Sequence, residues 1–309
     1  TAAAVAGAAT AIGALTTKAI EGYAAQEQLV GGVETLFKTS SDTVVGYAND
    51  AYKTAGMSAN EYMETVTSFS ASLLASMNND TAAAAEKANV AITDMSDNAN
   101  KMGTDISLIQ NAYNGFAKQN YTMLDNLKLG YGGTKEEMQR LLDDASKLSG
   151  IKYDISSYSD VVDAIHVVQT EMGITGTTAK EASTTIEGSV SSMSSAWDNW
   201  VAGMADSEAN FSQLTSNLVD SIVTVVGNIA PRVIETVPRL VSGLGEIVEQ
   251  LATYIPQVIQ ELLPPLMSGV QDLLNTLVGM LPEMISIIGQ IIPTIIDTLL
   301  TILPQLLEA

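Results

Sequence analysis

From Asp220 to Glu308 one polar stripe runs along an otherwise apolar stretch, and no other feature limits the fold so tightly. Asp220, Thr224, Asn228, Arg232, Glu235 and Arg239 open the stripe, and Thr294, Asp297, Thr301, Gln305 and Glu308 close it, at steps of three or four. Its 88 residues in 24 steps give about 3.67 residues per turn, the period of an eleven-residue repeat. Strands alternate with period two, so the stretch reads as helix. Nearly everything off the stripe is Leu, Ile, Val, Met, Pro or Gly. A helix with so narrow a wet face must bury most of its surface in other helices, in a protein tube or in a membrane.

Composition narrows the partners. A formal charge of −21, with no Lys or Arg after Arg239, excludes phosphate-backbone binding as a main activity. The same charge disfavours docking on an anionic membrane surface. Zero cysteines remove disulfides, thiolate nucleophiles and zinc ribbons, and leave the redox compartment open. Aromatic residues make up only 5% of the chain, so helices packed through Ala, Ser and Thr are expected, not a dense aromatic core. The chain opens at Thr1 without Met and stops at Ala309 inside the stripe pattern, so it reads as part of a longer polypeptide. The uncharged run Thr1 to Thr17 has no basic leader and is too weakly apolar to span a bilayer. It reads as a small-residue helix packed against copies of itself.

Three regions separate: residues 1–40, Ala/Gly-rich and helical; residues 41–203, a helical core domain; and residues 204–309, hydrophobic, helical and punctuated by proline. In the core domain helices are expected at about 59–77, 81–101, 105–118, 135–148, 158–172 and 178–202. Ser58 with Glu61, Thr134 with Glu137 and Thr178 with Glu181 have the spacing of capping boxes. Ile151 to Ile155 could form a short extended piece, and no convincing sheet is seen. In the last region Pro282, Pro293 and Pro304 fall eleven apart. Six of its eight prolines, including Pro231 and Pro238, sit one residue before a stripe position. Each either interrupts one helix near its wet edge or opens a new short helix at its first turn. The expected fold is therefore all-α: a helical core, then long or serial amphipathic helices in an extended oligomer.

Each candidate for chemistry has a plainer account. His166 is the only histidine, and Asp163 lies one helical turn before it, so an Asp–His dyad is geometrically possible. A hydrolase also needs a nucleophile, and Ser189, in Glu187-Gly188-Ser189-Val190-Ser191, lacks the second glycine of a nucleophile elbow. Asp94 to Asn100 alternates oxygen-bearing side chains, but Met102 and a missing Glu break the calcium-loop pattern. Gly130 to Lys135 is glycine-rich, yet Thr134 precedes Lys135 where a phosphate loop needs it after. Asp143 and Asp144 are an ordinary carboxylate pair in an acidic chain. Trp197 and Trp200, three apart, share one helix face as a packing anchor or an interface. No catalytic, cofactor or metal site is assigned.

Two stretches carry a family resemblance. Ala91 to Thr104, and above all Asn111 to Thr134 (Asn111-Ala112-Tyr113-Asn114-Gly115-Phe116 through Gly130-Tyr131-Gly132-Gly133-Thr134), resemble the tail tape measure proteins of long-tailed bacteriophages. Residues 57 to 203 are similar to the core region of that family, and the flanks resemble it more loosely. The resemblance implies a scaffold that sets tail length, a homotrimer running inside the tail tube. Tube proteins and tail-tip proteins are its implied partners, and the virion tail is its implied location. On ejection it is implied to leave ahead of the DNA and to help the genome across the host cell membrane. Some family members carry a peptidoglycan hydrolase, and nothing in these residues matches one. The rival readings are a membrane-active pore-forming protein and a cell-wall hydrolase module. No uncharged run in the striped region reaches 18 residues, which argues against conventional spanning helices.

Overall fold

The computed structural model describes residues 2–254 and, beyond them, 267–272, 274–276, 278 and 279. Side chains are described from Gly13 onward, apart from 240, 241 and 245–254. Among the described residues there is helix and no strand, so the all-α class holds. In chain order the helices are α1 (Ala2–Phe37), α2 (Ser41–Thr54), α3 (Ala59–Ser76), α4 (Thr81–Met102) and α5 (Ile106–Phe116). They continue with α6 (Lys135–Ser149), α7 (Tyr158–Glu171), α8 (Thr177–Thr184), α9 (Ile186–Gly203) and α10 (Phe211–Tyr254). Single 3-10 turns, Lys38–Ser40 and Leu124–Leu127, join α1 to α2 and interrupt the α5–α6 connection.

The chain divides into two compact units, Thr1–Val233 and Ile234–Ala309. The first contains α1 together with α2 to α9, so the Ala/Gly-rich start and the core region share one body. Val33 and Phe37 of α1 are fully buried among the residues of α2 to α7. Gly22 lets α1 approach α9 closely: a Cβ there would lie 3.2 Å from the Ala202 Cβ. The centre of the body is Val66 and Leu73 of α3, Ile92 and Met95 of α4, and Ile109, Tyr113 and Phe116 of α5. Leu141 of α6 and Val161 of α7 complete it.

Local capping chemistry sets most boundaries. Ser58 and Glu61 form a reciprocal capping box at the start of α3. The Asp80 carboxylate accepts from the Ala82 and Ala83 amides and starts α4, and Gly103, left-handed at φ +62°, ends it. Thr134 caps α6 by accepting from the Glu137 amide at 3.2 Å. Its expected reciprocal bond is absent, because the Glu137 carboxylate accepts from the Gly132 amide and from Arg140 instead.

Elsewhere the structure departs from expectation. The single helix expected at 178–202 is two, since Thr185 turns out of α8 and its hydroxyl caps α9 through the Gly188 amide at 3.0 Å. Gly188 makes the sharp crossing possible, because a Cβ there would meet the Glu181 carbonyl at 2.5 Å. Ile151 to Ile155 forms no strand, and α2 had no counterpart among the expected helices. Pro231 and Pro238 lie inside α10, which continues through both. Both are exposed, so water reaches the carbonyls their missing N–H groups leave free. The other six prolines, the eleven-residue spacing and most of the stripe lie outside the described residues.

Candidate functional site

The buried face of α4 is where the chemistry-bearing residues collect. The stretch that resembled a calcium loop, Asp94 to Asn100, is regular helix, and its oxygens are spent on other elements. Ser96 donates to the Ala55 carbonyl at 2.7 Å, and the Asn98 amide donates to the Leu127 carbonyl at 3.0 Å. Asp97, fully buried, accepts from the Gly176 amide at 2.5 Å and the Thr178 amide at 2.8 Å. Those N–H groups are the orphan donors of the α8 N-terminus. The expected Thr178–Glu181 capping box is therefore replaced by a carboxylate about eighty positions earlier in the chain. Gly176, left-handed at φ +83°, occupies the cap position and has no side chain to offer.

Asp94 takes the histidine. The Asp94 carboxylate lies 2.9 Å and 3.0 Å from Nδ1 of His166. The Asp94 side chain is 1% exposed and the His166 side chain 37% exposed. The hydrogen bond to Asp94 raises the imidazole above its ordinary value, Asp163 adds to the rise, and burial and Lys87 oppose it. Burial pushes the Asp94 carboxyl up, and His166 pulls part of that rise back. The Asp163–His166 dyad suggested by the sequence is not formed, because Asp163 pairs with Lys87 of α4. Both pairs cross between α4 and α7 and pin the two helices together.

The other candidates for chemistry are engaged elsewhere. The hydroxyl of Ser189 donates to the Thr185 carbonyl at 2.6 Å, and the residue is 1% exposed. Asp144 is held by Lys147 at 2.8 Å and by the Tyr131 hydroxyl at 3.1 Å, while Asp143 accepts from Gln139. The glycine-rich turn before α6 is closed in the same way. The Glu137 carboxylate occupies the Gly132 N–H that a phosphate would need, Arg140 donates to the Gly130 carbonyl, and its guanidinium lies 4.3 Å from the Tyr131 ring centre. A Cβ at Gly133 would overlap the Thr122 carbonyl oxygen, so this glycine serves close backbone approach.

The long motif Asn111 to Thr134 is likewise architectural. Tyr121, Leu124, Leu127 and Leu129 are buried, and Lys128, left-handed at φ +54°, donates to the Met102 and Gly103 carbonyls at the end of α4. Tyr113, Tyr158 and Gln169 add a buried polar group in which the Gln169 amide lies near the Tyr113 hydroxyl but no well-aligned hydrogen bond forms. Burial pushes the Tyr113 and Tyr158 phenols upward, and the Tyr113 phenol also feels the Asp94 charge. Sequence reasoning missed this group, since a lone Gln and two tyrosines in amphipathic helices carry no signal of convergence.

Grooves open on the body, and two of them bear on function. One, of about 600 Å³, lies among α3, α4, α5, α8 and α9 and is lined by uncharged amides and hydroxyls such as Gln110, Asn111 and Asn114, with Glu64 and Glu187. The other, of about 700 Å³, lies between α1, α9 and the turn into α10. Trp197, 42% exposed, forms one wall of the second. Trp197 packs at a tilt against Trp200 with ring centres 5.3 Å apart, and Trp200 stacks on Phe211 at 5.5 Å. Trp200 also donates through its indole N–H to Thr215 at 3.1 Å, so this tryptophan anchors the start of α10. Among the described residues no group of three or more His, Asp or Glu is close enough to hold a metal ion.

The first turns of α10 carry the least expected arrangement. The face turned to the body carries Leu218, Ser221 and Val225, all buried, with Thr224 and Asn228 half-buried beside them, and the Asn228 amide donates to the Thr185 carbonyl at 3.0 Å and to the Ser183 carbonyl at 3.4 Å. The apolar positions Val219, Ile222, Val223 and Val226 face outward and are exposed. Comparisons of the chain with protein-family models, with curated proteins and with solved structures find no match.

Proposed function

We propose that the chain is a structural component of a larger assembly, a segment of a phage tail tape measure protein. In this reading it sets tail length as a homotrimeric scaffold inside the tail tube, contacts tube and tip proteins, and is released to assist genome passage through the host envelope. The observation that carries the reading is the outward face of α10. Val219, Val223 and Val226 are 51%, 64% and 60% exposed, and Val233 follows at the same helical spacing, also more than half exposed. Steps of three, four and seven put these valines on one seam, the spacing that packs into a second helix of the same kind. Each Å² of that apolar surface removed from water is worth about 25 cal/mol, a gain the isolated chain leaves unused. The resemblance of Asn111 to Thr134 to the tape measure family supports the same conclusion, and the architectural role of those residues suits a scaffold.

Sedimentation of the purified chain tests the assembly. Concentration-dependent self-association is expected, and the double variant Val223→Asp/Val226→Asp should abolish it while leaving the far-ultraviolet helical signal intact. A wild-type chain that stays monomeric at every concentration would overturn the reading. In the full-length protein, in-frame removal of helical repeats should shorten tails in proportion to the residues removed.

A membrane-active protein is the second reading, and one observation favours it. Phe211–Leu244 is long and apolar enough to cross a bilayer when up to two charges are tolerated, and only 17% of its apolar window is buried. Leakage from liposomes caused by the chain alone, without tail proteins, would favour this reading over the scaffold.

A further inference from the structure

The groove between α1, α9 and the turn into α10 has walls of uneven chemistry. Glu21 of α1, Asp198 of α9, and Asp206 and Glu208 of the turn contribute four carboxylates, against one cation, Lys18. Among the described residues none of these five groups is in an ion pair, although ion pairs form elsewhere on the body. Trp197 supplies an exposed aromatic wall. Asn60, which also lines the groove, donates its amide N–H to the Gly22 carbonyl at 3.0 Å and keeps its amide oxygen buried without a partner. The charged atoms here are thus mainly acceptors, one of which, Asp206 Oδ1, takes the Glu208 amide at 2.9 Å.

The negative field is felt by neighbouring groups. Burial and then Glu61 push the Asp198 carboxyl up, and Lys18 offsets only part of the rise. The Tyr23 phenol is raised chiefly by its hydrogen bond to Glu27, with Asp206 and Glu208 adding to the shift. The carboxylates are nevertheless too far apart to converge on one metal ion. A ligand that satisfies them must be extended and carry several separated positive charges. The tryptophan face adds preference for a guanidinium or ammonium laid against it, and a groove of about 700 Å³ accepts a few residues of extended chain.

We propose that this groove docks an extended, arginine- or lysine-bearing segment of a partner protein, with Trp197 stacking on one cationic side chain and Asp198, Asp206, Glu208 and Glu21 pairing with its neighbours. The inference does not rest on the scaffold reading, because it concerns the surface of the body and not the valine seam of α10. Docking of this kind is electrostatically steered and weakens with salt.

The test is a titration of the full chain with a decapeptide alternating arginine and serine, followed by tryptophan fluorescence and calorimetry, with the glutamate counterpart as control. Because a chain of net charge −21 attracts any polycation, matched variants decide. Asp198→Asn/Glu208→Gln should weaken binding about tenfold, the loss expected for two ion pairs. Glu136→Gln/Asp143→Asn on α6 removes the same charge away from the groove and should leave affinity unchanged. Trp197→Phe should remove most of the fluorescence response, and Lys18→Glu should tighten binding, an outcome no misfolded chain produces. Equal weakening by the groove and α6 variants, unchanged affinity in Lys18→Glu, or no binding of the arginine peptide would each overturn the proposal.

Discussion

Helices α4 and α10 invert the usual relation between polarity and burial. α4 is the more polar, yet Asp94, Ser96, Asp97 and Asn98 on it are at most 5% exposed. α10 is the more apolar, yet its valines at 219, 223 and 226 are more than half exposed. The two sit on opposite sides of one rule: a group is buried where the surrounding structure answers it. These four meet partners from other elements, namely His166, the Ala55 carbonyl, the α8 N-terminus and the Leu127 carbonyl, although the Asn98 amide oxygen stays without one. Of the α10 valines, Val225 turns inward and is buried, whereas Val219, Val223 and Val226 find no such cover among the described residues. An exposed apolar seam beside a polar helix that is largely answered from within the body is the contrast on which the proposed assembly rests.

The sharpest way to break this contrast is to truncate both helices alike. Ile92→Ala on α4 removes a fully buried side chain at the centre of the body and should cost about 2–5 kcal/mol of unfolding free energy. Val226→Ala on α10 should change the stability of the dilute, unassociated chain by no more than about 0.5 kcal/mol. Urea denaturation of both variants measures the difference. Similar costs would mean that the α10 valines are already packed in the isolated chain.

A smaller effect tests the polar side. Asp97→Ala leaves the Gly176 and Thr178 amides without their acceptor and should destabilise the body by about 1–3 kcal/mol. Hydrogen exchange at those two amides should rise more than exchange along α3. Equal protection in wild type and variant would show that water or another group caps α8 as well as the carboxylate does.

What was legible in advance follows the same division between local and distant partners. The spans of α3, α4, α5, α6 and α7 fall within two residues of expectation, because Ser58, Asp80, Thr134 and Gly103 act on backbone beside them. The break between α8 and α9 was not legible: Thr185 looks like any helix-surface threonine until Gly188 brings the two axes together. Nor were the partners of Asp94, Asp97 and Asp163, which lie about seventy to eighty residues away in sequence. The dyad inferred from Asp163 and His166 had the correct helical spacing. It lost to Lys87, a cation that the packing of α4 on α7 delivers to Asp163. For α10 the pattern gave the width of the polar stripe but not its direction, because turning Asn228 toward the Ser183 and Thr185 carbonyls depends on where α8 ends.

The finest test of the contrast is the pH dependence of the α4–α7 contact. His166 is raised in the folded state above its ordinary value of 6.5 by Asp94, with Asp163 adding and Lys87 opposing. A group whose folded value is raised contributes stability that is fully present below its unfolded value and is lost as pH climbs through the folded one. Unfolding free energy should therefore fall as pH rises above about 6.5 and through the raised folded value of the imidazole. With more than a third of the imidazole in water, the loss should be about 1 kcal/mol or less. Asp94, raised by burial, slopes the same way but in a lower window that begins near its ordinary 3.8. Two variants separate the contributions: His166→Gln should flatten only the upper window, whereas Asp94→Asn should flatten both. An unchanged upper slope in His166→Gln, followed by urea titration at each pH, would assign the dependence to other groups and remove the pair from the contacts that hold α7 on α4.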